Sequence, residues 1–175
     1  MADRTASRLT AALLLAALAA GCAGQTGSGL IDLPDTTNAP AEGFASVKNG
    51  SEQDFILHVG RRTYFDRGSA ELDDTAKRTL KSQAAWLKQH PGWYAKLQGH
   101  ADDPGNAAAN QALSAKRAET VMAYLVQEGV PADRLWAKGY ARKRLVRDCK
   151  QVECTAQNRR VITNLRREKD ESAPD

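Results

Sequence analysis

Short segments with alternating or β-branched apolar residues recur along the chain, and they predict four strands. In the first, Phe55, Leu57 and Val59 alternate with Ile56 and His58, and the second alternates over 93–99. A third strand is expected over 134–140, and a fourth over 160–165, where β-branched residues lie at the centre. Alternation places every second side chain on one face of a sheet, which is typical of strands that bury one face.

Two longer segments have apolar residues at every third or fourth position, which predicts amphipathic helices. The apolar positions are Leu72, Ala76, Leu80, Ala84 and Leu87 in the first helix, and Leu113, Ala118, Val121, Met122 and Leu125 in the second. Ser69 is a candidate N-cap for the first helix, which stops at His90-Pro91-Gly92. Gly129 is expected to end the second helix.

The order of these elements is β-α-β-α-β-β. Because strand–helix–strand units have right-handed crossovers, both helices are expected on one face of a small mixed sheet. The predicted fold class is therefore α+β. The folded region is expected over 55–165, and a charged, frayed tail over 166–175.

The first 21 residues have the organisation of a secretory signal peptide. Arg4 and Arg8 supply positive charge, and the apolar run over 9–20 is shorter than the roughly 20 residues that span a bilayer. Cys22 follows directly after Ala-Gly and resembles the acylated cysteine of a bacterial lipobox. Two interpretations stay open: a lipoprotein signal with Cys22 as the lipidated residue, or an ordinary signal peptide in which Cys22 is incidental.

Residues 22–54 predict a lipidated N-terminus followed by a tether. They are rich in Gly, Ser, Thr and Asn, contain Pro34 and Pro40, and have no sustained hydrophobic periodicity. A flexible chain of this length has an r.m.s. reach of roughly 30 Å. A domain attached in this way can move away from a membrane surface and still be held to it.

Composition and charge narrow the classes of function. Hydrophobic residues make up 42% of the chain and charged residues 26%, which is enough for a packed core and excludes a wholly disordered chain. The formal net charge of +4 is mild, so nucleic acid is not an expected partner. Three cysteines and three histidines leave little for a metal site, and we predict neither a metal nor a cofactor.

Five motifs, found in order, resemble the OmpA-like peptidoglycan-binding domain family. They are YFDRGSAEL (64–72), AAWLKQHP (84–91), GHADDPGN (99–106), NQALSAKRAETVMAYLVQEGV (110–130) and QNRRVI (157–162). The resemblance covers about 55–165 and is greatest to the peptidoglycan-associated lipoproteins of Tol-Pal systems. It implies a binding domain of the α+β fold predicted above.

The resemblance also implies a set of ligand-binding residues. In that family, the aspartate of a GHxD motif and the arginine of an LSxxRA motif hold the diaminopimelate side arm of the peptidoglycan stem peptide. These residues are Asp102 and Arg117 here, and Asn110 of the NxxLS motif belongs to the same side of the ligand-binding site. Diaminopimelate ends in an ammonium beside a carboxylate, so it suits one fixed anion and one fixed cation with a planar fork. Taken singly, Asp102 is also compatible with a turn or an N-cap, and Arg117 with a solvated helix position.

Cys149 and Cys154 lie five positions apart in the loop before the last motif. A disulfide is the natural interpretation in an exported chain, and a zinc site is a weaker alternative because no second pair of ligands lies nearby. In the same region, the basic clusters 142–144 and 159–160 are either solvated surface or sites of attraction to acidic partners.

Three other residues are interpreted as structural. His100 is expected to be hydrogen-bonded at a strand end, and Trp86 and Trp93 are expected to pack in the core rather than to stack on sugars. The chain also departs from the family pattern at the ligand loop. Asp103-Pro104-Gly105 stands where Glu-Arg-Gly is usual, and Ala141 stands where Gly is usual.

The resemblance implies a lipoprotein that connects the outer membrane to the cell wall. Its expected partners are peptidoglycan, the outer membrane through the lipid anchor, and TolB with the Tol inner-membrane proteins. Ala23 after the cysteine, in place of Asp, favours export to the outer membrane with the domain in the periplasm.

Two other functions stay open at this point. The first is a divergent lipoprotein of the same domain family that serves another envelope complex, such as a flagellar stator or a secretion apparatus. The second is a cell-wall enzyme that uses His100, Asp102 and Asp103 for acid–base chemistry. No nucleophile–base pair accompanies those residues, so we expect no enzymatic activity.

Overall fold

The computed structural model describes residues 46–148 and 151–169. The helices are α1 (Glu52–Asp54), continued by a π-helical segment (Phe55–Val59), α2 (Asp74–Gln89), α3 (Ala107–Gln127) and α4 (Val152–Asn158). A short 3-10 segment, Ala132–Arg134, precedes the third strand. The strands are β1 (Arg62–Tyr64), β2 (Tyr94–Gly99), β3 (Leu135–Gly139) and β4 (Arg160–Arg166).

The four strands form one mixed sheet in the order β1-β4-β2-β3. Strands β2 and β3 are parallel, and β4 runs antiparallel to both β1 and β2. Leu97 pairs with Thr163, so these two side chains share a face of the sheet. The hydroxyl of Thr163 donates a hydrogen bond to the side-chain oxygen of Gln83 in α2. Gly99, two residues beyond Leu97, lies against Ser114 of α3. Both long helices therefore pack on one face, and the predicted α+β class is confirmed.

The first predicted strand, over 55–59, is wrong, because this segment is helical. Phe55 is completely buried, whereas Ile56 and Leu57 are exposed. Ser51 caps the start by accepting a hydrogen bond from the Asp54 N–H, and Gly60 ends the segment at a φ of 82°. Apolar residues at 55 and 59 fit a helical spacing as well as an alternation, and the capping residues on each side select the helix. The first strand is instead Arg62–Tyr64.

The folded domain begins earlier than the predicted end of the tether at residue 54. The Nε1 of Trp86 donates to Asp54 at 2.8 Å, and the Nε1 of Trp93 donates to the carbonyl of Gly50 at 2.9 Å. Both tryptophans are buried, as expected. At the other end, the predicted tail also contributes, because β4 continues to Arg166 and the guanidinium of Arg167 lies 3.5 Å from the centre of the Trp93 ring.

The two long helices occur where the periodicity predicted them, but the cap of α2 differs. Asp73, not Ser69, accepts the hydrogen bond from the Ala76 N–H. Ser69 instead accepts from the Glu71 N–H and forms a turn in the loop before the helix. In α3, Asn106 is the N-cap and Gly129 follows the end in a left-handed conformation.

The predicted signal peptide, Cys22, the tether up to residue 45 and Cys149 lie outside the described residues. Over 46–148 and 151–169, no helix combines the length and the apolar character needed to cross a membrane.

Candidate ligand-binding cleft

An open cleft of about 600 Å³ lies at the edge of the sheet where β1, β2 and β3 end and β4 begins. Its walls come from the loops after those three strands and from α4. The lining residues are Arg67, Asp102, Asp103, Pro104, Arg142, Leu145, Asp148, Val152, Thr155 and Arg159. Since the set contains both carboxylates and guanidinium groups, the cleft can receive a ligand that carries charges of both signs.

Arg117 lies beneath the cleft and is completely buried. Its guanidinium makes a bidentate ion pair with Asp103, with Nη1–Oδ2 at 2.7 Å and Nη2–Oδ1 at 3.2 Å. The remaining N–H groups donate to the carbonyl oxygens of Ser69, His100 and Asp66. All five donors of the guanidinium are therefore used inside the protein, and Arg117 joins the loops after β1 and β2 to helix α3.

Asn110 is also buried, and it holds the loop that carries Asp103. Its Oδ1 accepts from the Asp103 N–H at 3.0 Å, and its Nδ2 donates to the Asp103 carbonyl at 3.0 Å and to the Asn106 carbonyl at 3.1 Å. Both polar groups of the amide are satisfied by main chain. The side chain of Asn110 therefore fixes the turn between β2 and α3.

Asp102 lies at the mouth of the cleft, with 15% of its side chain exposed. Oδ1 accepts from the Nε of Arg142 at 3.2 Å, and Oδ2 accepts from the Nδ2 of Asn158 at 2.9 Å. Asn158 also accepts from the N–H groups of Val146 and Arg147, so one amide connects Asp102, the loop after β3 and the end of α4. A carboxylate has about four acceptor positions, and the bonds from Arg142 and Asn158 occupy two of those of Asp102.

Two strand-end glycines let α3 approach the sheet at this edge. A Cβ on Gly99 would overlap the carbonyl oxygen of Ser114, and a Cβ on Gly139 would lie 2.6 Å from the Ser114 Oγ. That hydroxyl accepts from the Ala141 N–H at 3.0 Å. Ser114 thus places the start of the loop after β3 against the helix that carries Arg117 and Asn110.

The structure separates the three residues predicted to bind the ligand. Asp102 faces the cleft, whereas Arg117 and Asn110 are buried below it and make no ion pair or hydrogen bond with Asp102. Three further residues shape the cleft around Asp102, and none of them was assigned to ligand binding from the sequence: Asp103, Arg142 and Asn158. Each of them lies within a motif or basic cluster noted there, but neither spacing nor residue type shows which neighbour turns inward.

Two other residues interpreted from the sequence, His100 and Cys154, also lie in this region. His100 is buried, its Nδ1 lies 3.0 Å from the Lys143 carbonyl, and its ring stacks on Tyr140. The prediction that His100 is hydrogen-bonded at a strand end is confirmed. Cys154 is disulfide-bonded, while its pairing with Cys149 stays a prediction.

Comparison with known proteins identifies the family of the segment that forms the cleft. The model of the OmpA family matches residues 64–159, the segment that contains every residue lining the cleft. The chain belongs to the OmpA family. A peptidoglycan-associated lipoprotein of Rhizobium meliloti (strain 1021) is 36% identical over 154 residues, which cover 88% of this chain and 85% of that protein.

Solved structures agree with this assignment. The crystal structure of the peptidoglycan-associated lipoprotein from Burkholderia pseudomallei matches with a TM-score of 0.61 and 30% identity, over 63% of this chain and 96% of that one. The C-terminal domain of Helicobacter pylori MotB matches with a TM-score of 0.57 and 21% identity, over 63% of this chain and 85% of that one. At that identity the MotB likeness shows a shared fold alone.

Proposed function

We propose that this protein is a lipid-anchored outer-membrane protein that binds peptidoglycan non-covalently through diaminopimelate. Acyl chains on Cys22 would hold its N-terminus in the membrane, and the domain would hold the wall from the periplasm. The observation that carries the proposal is the pairing of a cleft carboxylate, Asp102, with a partly exposed guanidinium, Arg142. The peptidoglycan-associated lipoproteins among its relatives support the same conclusion.

The free end of the diaminopimelate side arm is an amino-acid centre, with an ammonium and a carboxylate on one carbon. Asp102 receives the ammonium through its unused acceptor positions. Arg117 and Asn110 contribute by fixing the loop, because together they hold both the side chain and the main chain of Asp103, the next residue. A carboxylate held in this way needs little reorganisation when the ligand arrives, which favours affinity.

Binding of this kind requires no covalent bond to be made or broken. His100 and Asp103 are the other groups of the HADD turn with acid–base chemistry, and both are buried and engaged in internal hydrogen bonds. Each charged hydrogen bond to the ligand contributes about 1.5–3 kcal/mol, so two or three of them give useful affinity without catalysis. We therefore assign a binding role rather than an enzymatic one.

We further propose that the protein works within a Tol-Pal system in envelope integrity and cell division, with TolB as its periplasmic partner. This part of the proposal is supported by the lipoproteins that the chain resembles over most of its length. It is tested by mixing the purified protein with TolB from the same organism in the absence of wall. A complex is expected, and its absence would favour another envelope complex.

Wall binding is tested by sedimenting the purified protein with isolated sacculi, with free meso-diaminopimelate as the competitor. Wild type is expected to sediment and to be displaced by the amino acid. Asp102→Asn should lose most of its binding, since the neutral amide attracts an ammonium weakly. Asp133→Asn, an exposed carboxylate in the 3-10 segment, is the matched control and should bind like wild type. Undiminished binding by Asp102→Asn would contradict the assignment of this cleft.

A further inference from the structure

Arg142 is the cation of the cleft that is both oriented and open. Its Nε donates to Asp102 Oδ1 at 3.2 Å, and its Nη2 donates to the Asp103 carbonyl at 2.7 Å. Nevertheless, 47% of the side chain is exposed, and within 46–148 and 151–169 its Nη1 has no hydrogen-bond partner. One edge of the guanidinium is thus fixed by the protein, and the other edge faces the cleft.

The main chain on the N-terminal side of Arg142 is also held in place. The Ala141 N–H donates to the Ser114 hydroxyl, and the Ala141 carbonyl accepts from the Ala101 N–H, each at 3.0 Å. These bonds connect the loop after β3 to helix α3 and to the end of β2. The position of Arg142 relative to Asp102 is therefore determined by three elements of the fold.

The other cations near the cleft are less suited to receive an anion. Arg117 is buried, with all five donors occupied. Arg159 donates hydrogen bonds from its Nε to the Phe65 carbonyl and from its Nη1 to the Thr155 hydroxyl. Arg67 is exposed and is not oriented by any hydrogen bond within the described parts of the chain, so ordering it on a ligand would cost conformational entropy.

We propose that Arg142 is the specificity-determining residue of the cleft and receives the free carboxylate of the ligand's amino-acid end while Asp102 receives the ammonium. This inference rests on the proposed function. A guanidinium beside a carboxylate presents a plus–minus pair that is complementary to an amino-acid centre of the opposite arrangement. The ligand class is thus a stem peptide whose diaminopimelate side arm keeps both its amine and its carboxylate unmodified.

An amidated side arm should consequently bind more weakly. Converting the carboxylate to a carboxamide removes the charge that pairs with Arg142 and replaces one acceptor oxygen by a donor NH₂ group, which faces the guanidinium donors. The loss of one charged hydrogen bond corresponds to about a ten- to a hundredfold weaker affinity. The discrimination between the two peptides therefore reports on the cation that receives the carboxylate, and its loss in an Arg142 variant identifies that cation as Arg142.

The experiment measures the affinity of the purified protein for two tripeptides, L-Ala-γ-D-Glu-meso-diaminopimelate and the same peptide amidated at the side-arm carboxylate. Wild type should prefer the free acid by about tenfold or more. Arg142→Gln should bind the free acid about as weakly as the amide, whereas Arg142→Lys should keep part of the preference, since it keeps the charge and loses the fork. Arg147→Gln, an exposed arginine of the same loop that does not line the cleft, is the matched control.

The outcomes separate this inference from the function on which it rests. If Arg142→Gln is folded and keeps the wild-type preference, Arg142 does not receive the carboxylate and the inference is overturned, while wall binding stands. A uniform loss for both peptides with the preference retained would also overturn it, because Arg142 would then act only by orienting Asp102. If wild type binds neither the tripeptides nor sacculi, the proposed function fails as well.

Discussion

The guanidinium of Arg117 is paired with the carboxylate of Asp103 and not with that of Asp102, although Asp102 occupies the motif position. The pair is bidentate and almost completely buried, with exposed fractions of 0% and 4% for the two side chains. Asp103 also accepts from the Gly68 N–H at 2.6 Å. This pair therefore connects the loops after β1 and β2 to helix α3, and it leaves Asp102 to face the cleft.

Replacing Asp103 by Asn should destabilise the domain strongly. The change leaves the charge of Arg117 buried without a counter-charge, which costs about 3–5 kcal/mol in free energy of unfolding. Equilibrium unfolding in urea, followed by tryptophan fluorescence, measures this loss. Asp102→Asn is the comparison and should lose less, since its partner Arg142 can turn to solvent. Equal losses for the two variants would argue against the pairing.

Replacing Ala141 by Gly should stabilise the domain. Ala141 has a φ of 48°, in the left-handed region that a Cβ disfavours. Relief of this strain, reduced by the greater entropy of Gly in the unfolded chain, is expected to give about 0.5–1 kcal/mol. The midpoint of thermal unfolding is the measurement. Ala112→Gly in the exposed interior of α3 is the control, and it should lower stability by about 1 kcal/mol.

Asp54 should make stability depend on pH in the acid range. Partial burial alone would raise its pKa, but hydrogen bonds from Trp86, from His58 and from the Gly50 N–H hold the pKa of Asp54 below the ordinary value of 3.8. A carboxyl with a lowered pKa in the folded state stabilises the protein above its unfolded pKa, and this contribution is lost as the pH falls through the folded pKa.

Asp54→Asn should therefore lower the free energy of unfolding by about 1–3 kcal/mol at neutral pH. The difference in free energy of unfolding between Asp54→Asn and wild type should narrow as the pH falls below 3.8. Urea titrations at a series of pH values between about 2 and 7 test this. Asp133→Asn, whose side chain is exposed, should follow the wild-type curve. A gap that is independent of pH would show that the lost interactions do not depend on the charge of Asp54.

The predicted disulfide between Cys149 and Cys154 should add modest stability. Closing so short a loop contributes roughly 2 kcal/mol in the chain-entropy model. A peptide map under non-reducing conditions identifies the partner of Cys154, and Cys149→Ser should lower the unfolding midpoint to that of the reduced wild type. Recovery of Cys154 in a peptide joined to any other cysteine would refute the pairing.

Long periodic segments were predictable from the chain alone, because a helix of 16 or 21 residues repeats its apolar spacing several times. The segment over 55–59 was not, since five residues fit both a helical and an alternating pattern. Capping residues just outside the segment, Ser51 and Gly60, select the helix, and the hydrogen bond from Trp86 to Asp54 holds its start against α2. Segment length therefore separates the confirmed elements from the corrected one.

The family and the α+β class follow from residue types in order along the chain. Which of two adjacent aspartates binds the buried arginine does not, because neighbours in a turn point in different directions and only the packed helix beneath them decides. Asp103 meets Arg117 because Gly99 and Gly139 let α3 lie directly on the strand ends. Arg142 meets Asp102 across 40 residues because parallel pairing of β2 and β3 brings their carboxyl ends to one edge. These are contacts between distant parts of the chain, and only the tertiary fold creates them.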